Sequence, residues 1–126
     1  MRKHVISAAA PRPIGPYSQG VMAGGFMFVS GQIPLDPQTN ELVGGGIEAQ
    51  TEQVLKNLLA VLKEAKMGAE HVVKTTVFLS DLKDFAKMNE VFAARFGAHR
   101  PARSTVAVAA LPAGARVEID LVVRVG

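Results

Sequence analysis

Apolar residues recur along this chain with two different periods. Val54, Leu55, Leu58, Val61, Leu62 and Ala65 follow helical spacing and predict a helix from about Ile47 to Met67, opened by Gly44-Gly45-Gly46 and stopped by Gly68. Glu52 and Lys56 stand at i,i+4 on it, in the favourable order for an ion pair. Phe85, Met88, Phe92 and Phe96 predict a second helix, with Asp81 and Asp84 as its cap-like start and Gly97 as its end. Elsewhere the period is two. From His71 to Leu79, Val73, Thr75, Val77 and Leu79 share one predicted face, and Val72, Lys74, Thr76 and Phe78 share the other. Val117, Ile119, Leu121, Val123 and Val125 alternate with Glu118, Asp120, Val122 and Arg124. Shorter strands are predicted at His4–Ser7, Gly20–Ala23, Phe26–Ser30 and Arg103–Ala109, with Gly24-Gly25 supplying the positive φ angles of a tight hairpin. Pro11, Pro13 and Pro16 make the stretch between the first two strands an extended loop.

The predicted order is therefore βββαβαββ, an α+β plan with a mixed sheet and two helices on one face. At 126 residues it is read as one domain, residues 1–126. Two helices leave the second sheet face bare, although that face carries apolar side chains too. A large apolar patch in water is costly, so a homo-oligomer is expected, with clefts between subunits as places for a ligand.

Composition narrows the chemistry. The chain has no Cys, which excludes a disulfide framework, a thiolate metal site and a thiol nucleophile. His4, His71 and His99 lie far apart with no ligand spacing, so no metal site is expected, and His71 reads as an edge or surface residue. No apolar run is long enough to span a membrane, and no leader-like apolar stretch follows the N-terminal charges, so a soluble cytoplasmic protein is expected. Net charge is +3, but the longest basic run is Arg2-Lys3 and no aromatics interleave with the bases, which argues against nucleic acid. Nucleotide-binding glycine patterns and a nucleophile elbow are absent as well.

Three features carry candidate chemistry. All five bases after residue 94 are arginines, and Arg103 stands at a strand start just after Pro101, on one predicted face with Thr105 and Ala107. A guanidinium there suits bidentate capture of a carboxylate. Glu118 lies in a strand whose other face is wholly apolar. Tyr17 and Ser30 sit in the dense turn segments Gly15-Pro16-Tyr17-Ser18 and Ser30-Gly31-Gln32-Ile33-Pro34. Taken singly, each also reads as an ordinary ion pair, a packing tyrosine or a turn serine.

Ile14-Gly15-Pro16-Tyr17-Ser18-Gln19-Gly20, Ser30-Gly31-Gln32-Ile33-Pro34, Val73-Lys74-Thr75-Thr76-Val77-Phe78, Asp81-Leu82-Lys83-Asp84-Phe85 and Met88-Asn89 are followed by a more specific block. That block runs from Pro101-Ala102-Arg103-Ser104 through Leu111-Pro112 to Val117-Glu118-Ile119. On these motifs the whole chain resembles the RidA (YjgF) family of enamine/imine deaminases. The resemblance implies a chorismate-mutase-like fold and a homotrimer with three inter-subunit sites. It implies hydrolysis of 2-aminoacrylate and 2-aminocrotonate, as their imine tautomers, to 2-oxo acids and ammonia, without a cofactor, sparing pyridoxal-phosphate enzymes. Arg103 then matches the carboxylate clamp, Glu118 the water-positioning acid and Tyr17 a cleft residue of the catalytic set, while Ser30, Gly31, Asn89 and Thr105 join Arg103 around the substrate. Thr105 stands where many members carry Cys. Some relatives are described as endoribonucleases or translation inhibitors, and a non-catalytic small-carboxylate-binding trimer is a further alternative.

Overall fold

The computed structural model describes residues 3–126; Met1 and Arg2, and with Arg2 half of the basic pair noted above, lie outside the described residues. Six strands and two helices follow the predicted order: β1 (Lys3–Val5), β2 (Gly20–Ala23), β3 (Phe26–Gln32), α1 (Ile47–Glu64), β4 (Val72–Leu79), α2 (Phe85–Phe96), β5 (Ala102–Ala107) and β6 (Val117–Arg124). They form one sheet in the order β1-β2-β3-β6-β4-β5. Only β4 and β5 run parallel, which is why the connection between them needs a crossover, α2. The last strand in sequence enters the middle of the sheet, joining β3 to β4.

Both helices cover the same face. Val54, Leu58, Val61 and Leu62 from α1 and Met88 from α2 are buried with Val77, Leu79, Ile119 and Val123 of the sheet. The other face is bare: Phe28 is 49% and Val106 43% exposed, beside half-buried Phe78 and Val122. Gly24 and Gly25 turn the β2–β3 hairpin with φ of 59° and 82°, the pair of positive angles a tight hairpin requires.

Several local expectations are corrected. In β4 the pairing with β6 slips between Val72 and Lys74, so Val73 is an extra residue. The bulge moves Val72 onto the helix-covered face, fully buried with Thr75, Val77 and Leu79, and turns Val73 outward. Strict alternation had given those two residues the opposite faces. Helix α1 ends at Glu64 rather than Met67, because Lys66 adopts φ 60° and the Ala65 and Lys66 amides turn back to the carbonyls of Leu62 and Lys63. Strand β5 ends at Ala107 rather than Ala109, where its partner β4 runs out at Leu79. The first strand is Lys3–Val5 rather than His4–Ser7, because the Ser7 amide is taken by the Gln19 side chain. Glu52 reaches across to Arg95 of α2 at 2.9 Å instead of along its own helix to Lys56. Of the two predicted caps, only Asp81 accepts a backbone amide, that of Lys83 at 2.9 Å; Asp84 is committed elsewhere.

Candidate functional site

Two clefts hold the residues singled out in the sequence, and they lie in different parts of the molecule. The first has a volume of about 420 Å³ and lies between the proline-rich loop, β3 and β6, with Tyr17, Ser30, Gly31 and Glu118 in its lining. The loop that forms its outer wall is held from beneath by Gln19, which is 1% exposed. The Gln19 amide nitrogen donates to the carbonyls of Ser7 and Pro11 at 3.2 and 2.9 Å, and its oxygen accepts from the Ser7 amide at 2.5 Å. One buried side chain thus fastens both ends of a loop that has no regular ladder of its own. Ser30 extends the clamp: its hydroxyl donates to the Ser18 carbonyl at 2.6 Å and its amide to the Gln19 carbonyl at 2.9 Å. Tyr17 is left half-exposed on this wall.

The β3–β6 register shifts between Val29 and Gln32, so β3 bulges at Ser30-Gly31. The bulge lays Gly31 directly against Glu118. A Cβ built on Gly31 would lie 3.0 Å from Glu118 Cδ and closer still to Oε2, so any larger residue here would push the Glu118 carboxylate out of its present position. Glycine serves close approach of the carboxylate here, not a left-handed backbone. Glu118 makes no ion pair and no hydrogen bond among the described residues. Burial pushes its carboxyl pKa up, and the neighbouring Asp120 charge pushes it further in the same direction. Asp120, on the same strand face, is also raised by burial, with Thr76 and the Lys74 charge pulling it back. The two carboxylates thus differ: Thr76 and Lys74 oppose the effect of burial at Asp120, and nothing opposes it at Glu118.

The second cleft, also about 420 Å³, lies between α2 and the edge strand β5, with Asn89, Phe92, Arg100 and Arg103 in its lining. The Arg103 guanidinium stands over the Phe92 ring at 4.9 Å and the Phe85 ring at 5.6 Å. Burial lowers its pKa, though a guanidinium stays charged. No carboxylate lies within 4.0 Å of it and no protein hydrogen bond engages it among the described residues. Neighbouring arginines differ in this respect. Arg116 donates through Nε and Nη2 to both oxygens of buried Asp84, at 3.1 and 2.8 Å, and Arg95 pairs with Glu52. Arg103 is shaped to grip an anion and holds none from its own chain. Thr105 lies two residues on, on the same face; its hydroxyl is buried without a partner, as is that of Thr75, the cross-strand neighbour of Arg103.

The two clefts do not meet within one chain. Thr75 pairs with Arg103 and Phe78 with Glu118, so the two residues are separated by two strand spacings and three positions along the strand. That is roughly 14 Å between Cα atoms. They also point to opposite faces, Arg103 toward α2 and Glu118 toward the bare side. The structure therefore brings Tyr17, Ser30, Gly31 and Glu118 together, and Asn89 together with Arg103, but not one group with the other.

The sequence reading missed the residues that hold the walls. Gln19 is one. Asn57 is another, donating to the Leu35 carbonyl at 2.9 Å, and Gln50 accepts from the Arg116 amide at 2.9 Å. A signal existed: Gln50 and Asn57 lie on the same helical stripe as Val54 and Val61, where a polar side chain must find a partner.

The chain has clear relatives among known proteins. The family described as endoribonuclease L-PSP matches residues 7–125. The chain is 49% identical to a RutC family protein of Pyrococcus horikoshii over 97% of each. It is 44% identical to the human 2-iminobutanoate/2-iminopropanoate deaminase over 97% of this chain and 89% of that one. Its fold is similar to that of E. coli TdcF crystallised with bound serine, with a TM-score of 0.92 and 39% identity over 98% of this chain and 99% of that one.

Proposed function

The chain belongs to the endoribonuclease L-PSP family, which includes the Rid proteins, and from that premise we propose that it hydrolyses small 2-imino acids to 2-oxo acids and ammonia. The reading extends to a homotrimer in which the Arg103 cleft of one copy faces the Glu118 cleft of the next. One observation carries it: a cation and a carboxylate, each partly buried, each without a partner, lie on opposite faces of one sheet where only a second copy can unite them. The bare apolar face supplies a surface for that copy. The names of relatives point the same way. The human relative is named for imine hydrolysis, and TdcF was crystallised with serine, a molecule carrying the α-carboxylate that Arg103 would grip.

The chemistry needs few groups. In a 2-imino acid the C=N carbon beside the carboxylate is already electrophilic. Arg103 holds the carboxylate through two parallel N–H donors, which fixes the carbon's position, and Asn89 and Thr105 lie on the same side. Glu118 holds a water over that carbon and takes a proton as the new C–O bond forms and the C=N π electrons move to nitrogen. The proton then passes to nitrogen, the C–N bond breaks, and ammonia leaves as the hydroxyl loses its proton to give the 2-oxo acid. A carboxyl with a raised pKa suits both halves of that exchange, since it is a stronger base than an ordinary carboxylate and can return the proton it takes. Tyr17 and the acceptor capacity of Ser30 line the water's side. Substrate of this kind arises wherever an enzyme eliminates water from a hydroxy amino acid.

The test is a threonine dehydratase reaction in which 2-iminobutanoate forms in situ. The protein should speed the appearance of 2-oxobutanoate above the spontaneous rate. Binding of 2-oxobutanoate with no acceleration would reduce the protein to a carboxylate binder. Cleavage of RNA with no effect on the imine would favour the activity in the family's description.

A further inference from the structure

Arg103 is not the only cation in its cleft. Arg100 lines the same space, and no acidic side chain does. Arg100 is exposed, and its Nη1 donates to the Gly97 carbonyl and, at 3.2 Å, to the His99 carbonyl, while Nε and Nη2 make no protein hydrogen bond among the described residues. No carboxylate lies within 4.0 Å of Arg100 among the described residues. This chain's own lining thus gives the cleft two positive charges and no negative one. The remaining lining, Phe92, Ala93 and Pro101, is apolar and suits a short methylene bridge. Arg100 and Arg103 both line the one cleft and lie three residues apart around Pro101, at most about 10 Å between Cα atoms, a span that two long side chains can close onto one small diacid.

We propose that this cleft selects a dicarboxylic 2-imino acid of four or five carbons, Arg103 taking the carboxylate beside the C=N carbon and Arg100 the one at the far end. The inference rests on the deaminase reading for its reaction and on the cleft alone for its binding. For 2-iminoglutarate the step is addition of one water across C=N and loss of one ammonia, giving 2-oxoglutarate. The supplying reaction must be a two-electron oxidation of an acidic amino acid to its imine, because no hydroxyl is present to eliminate.

The experiment compares 2-iminoglutarate, made in situ by L-glutamate oxidase, with 2-iminobutanoate, made by D-amino-acid oxidase from D-2-aminobutyrate. Hydrolysis competes with semicarbazide trapping, and calorimetry measures binding of 2-oxoglutarate and 2-oxobutanoate. The wild-type protein should favour the diacid in both readouts. Arg100→Ala should lower the diacid-to-monoacid ratio about tenfold. Arg100→Gln, which can still donate to the Gly97 carbonyl but has no charge, should behave like Arg100→Ala, and Arg100→Lys should fall between. No preference for the diacid in the wild type, or a ratio unmoved in both Arg100→Ala and Arg100→Gln, overturns the proposal. If no imine is hydrolysed above the spontaneous rate but 2-oxoglutarate still binds tighter through Arg100, the inference stands and the deaminase reading fails.

Discussion

The Arg103 cleft and the Glu118 cleft have similar volumes but are built in opposite ways. The first stands on regular structure: a parallel strand pair, an amphipathic helix and two aromatic rings under a guanidinium. The second stands on irregular structure: a loop fastened by one glutamine, a bulge in β3 and a glycine that yields its space to a carboxylate. One presents a bare cation and the other a bare carboxylate whose pKa burial has raised. In the Arg116–Asp84 pair, by contrast, a guanidinium and a carboxylate satisfy each other within the chain. The lesson is that charge type does not separate a site from a strut. Withheld pairing does, because a partly desolvated charge without a partner costs stability and persists where something else completes it.

The largest expected effect comes from the cationic side. Arg103→Lys keeps the charge but loses the planar pair of donors, and should cost roughly 30- to 1,000-fold in kcat/KM on 2-iminobutanoate. Near-normal turnover by Arg103→Lys, with assembly intact by light scattering, would remove the bidentate clamp. On the anionic side Glu118→Gln should lower kcat by about 100-fold or more while binding of a 2-oxo acid is largely kept. Asp120→Asn is the control, and a larger loss there would mean that the wrong carboxylate has been chosen. The division between the clefts is broken or upheld by mixing. If each site takes Arg103 from one chain and Glu118 from another, co-expressed Arg103→Ala and Glu118→Gln chains should recover about a quarter of wild-type activity in randomly assembled trimers. No recovery in mixed oligomers would return both residues to one chain's site.

Gly31→Ala sharpens the contrast in the looser cleft. The added methyl meets Glu118 Oε2, so the carboxylate must swing away, and turnover should fall about tenfold with the fold retained in circular dichroism. The smallest effect is thermodynamic. The folded protein holds the Glu118 proton more tightly than the unfolded chain does, so ionised Glu118 lowers stability above the ordinary carboxylate range, and that cost fades as pH falls through it. Glu118→Gln should therefore raise Tm by about 1–3 °C at neutral pH, with the gain shrinking toward acid. A lower Tm for Glu118→Gln at neutral pH would mean that the carboxylate has a stabilising partner after all.

Much of this architecture is legible in the sequence because it is periodic. The stripes from Val54 to Leu62 and from Phe85 to Phe96 mark the two helices, and the alternation from Val117 to Val123 marks the central strand. The failures share a cause. A single extra residue at Val73 reverses the faces of the residues before it, and nothing local marks it, since the slip exists only relative to β6. Arg103 and Glu118 are both legible as candidates, yet their separation is not. It depends on β6 inserting between β3 and β4, a long-range choice that leaves no trace in the spacing of either residue. Gln19 is invisible for the opposite reason. It looks like any polar turn residue until Ser7 and Pro11 come within reach.

The central position of β6 also bears on how the protein is made. Strand β3 is finished at Gln32 and β4 at Leu79, but the strand that joins them begins only at Val117. On a ribosome adding about 5–20 residues per second, the two halves of the sheet wait several seconds with facing edges unpaired. During that interval the nascent chain displays two open edges of the kind that recruit stray strands. The final strand therefore acts as a release step: until it slots in, both edges stay open, and any message truncated before Val117 yields a product that cannot close its own sheet.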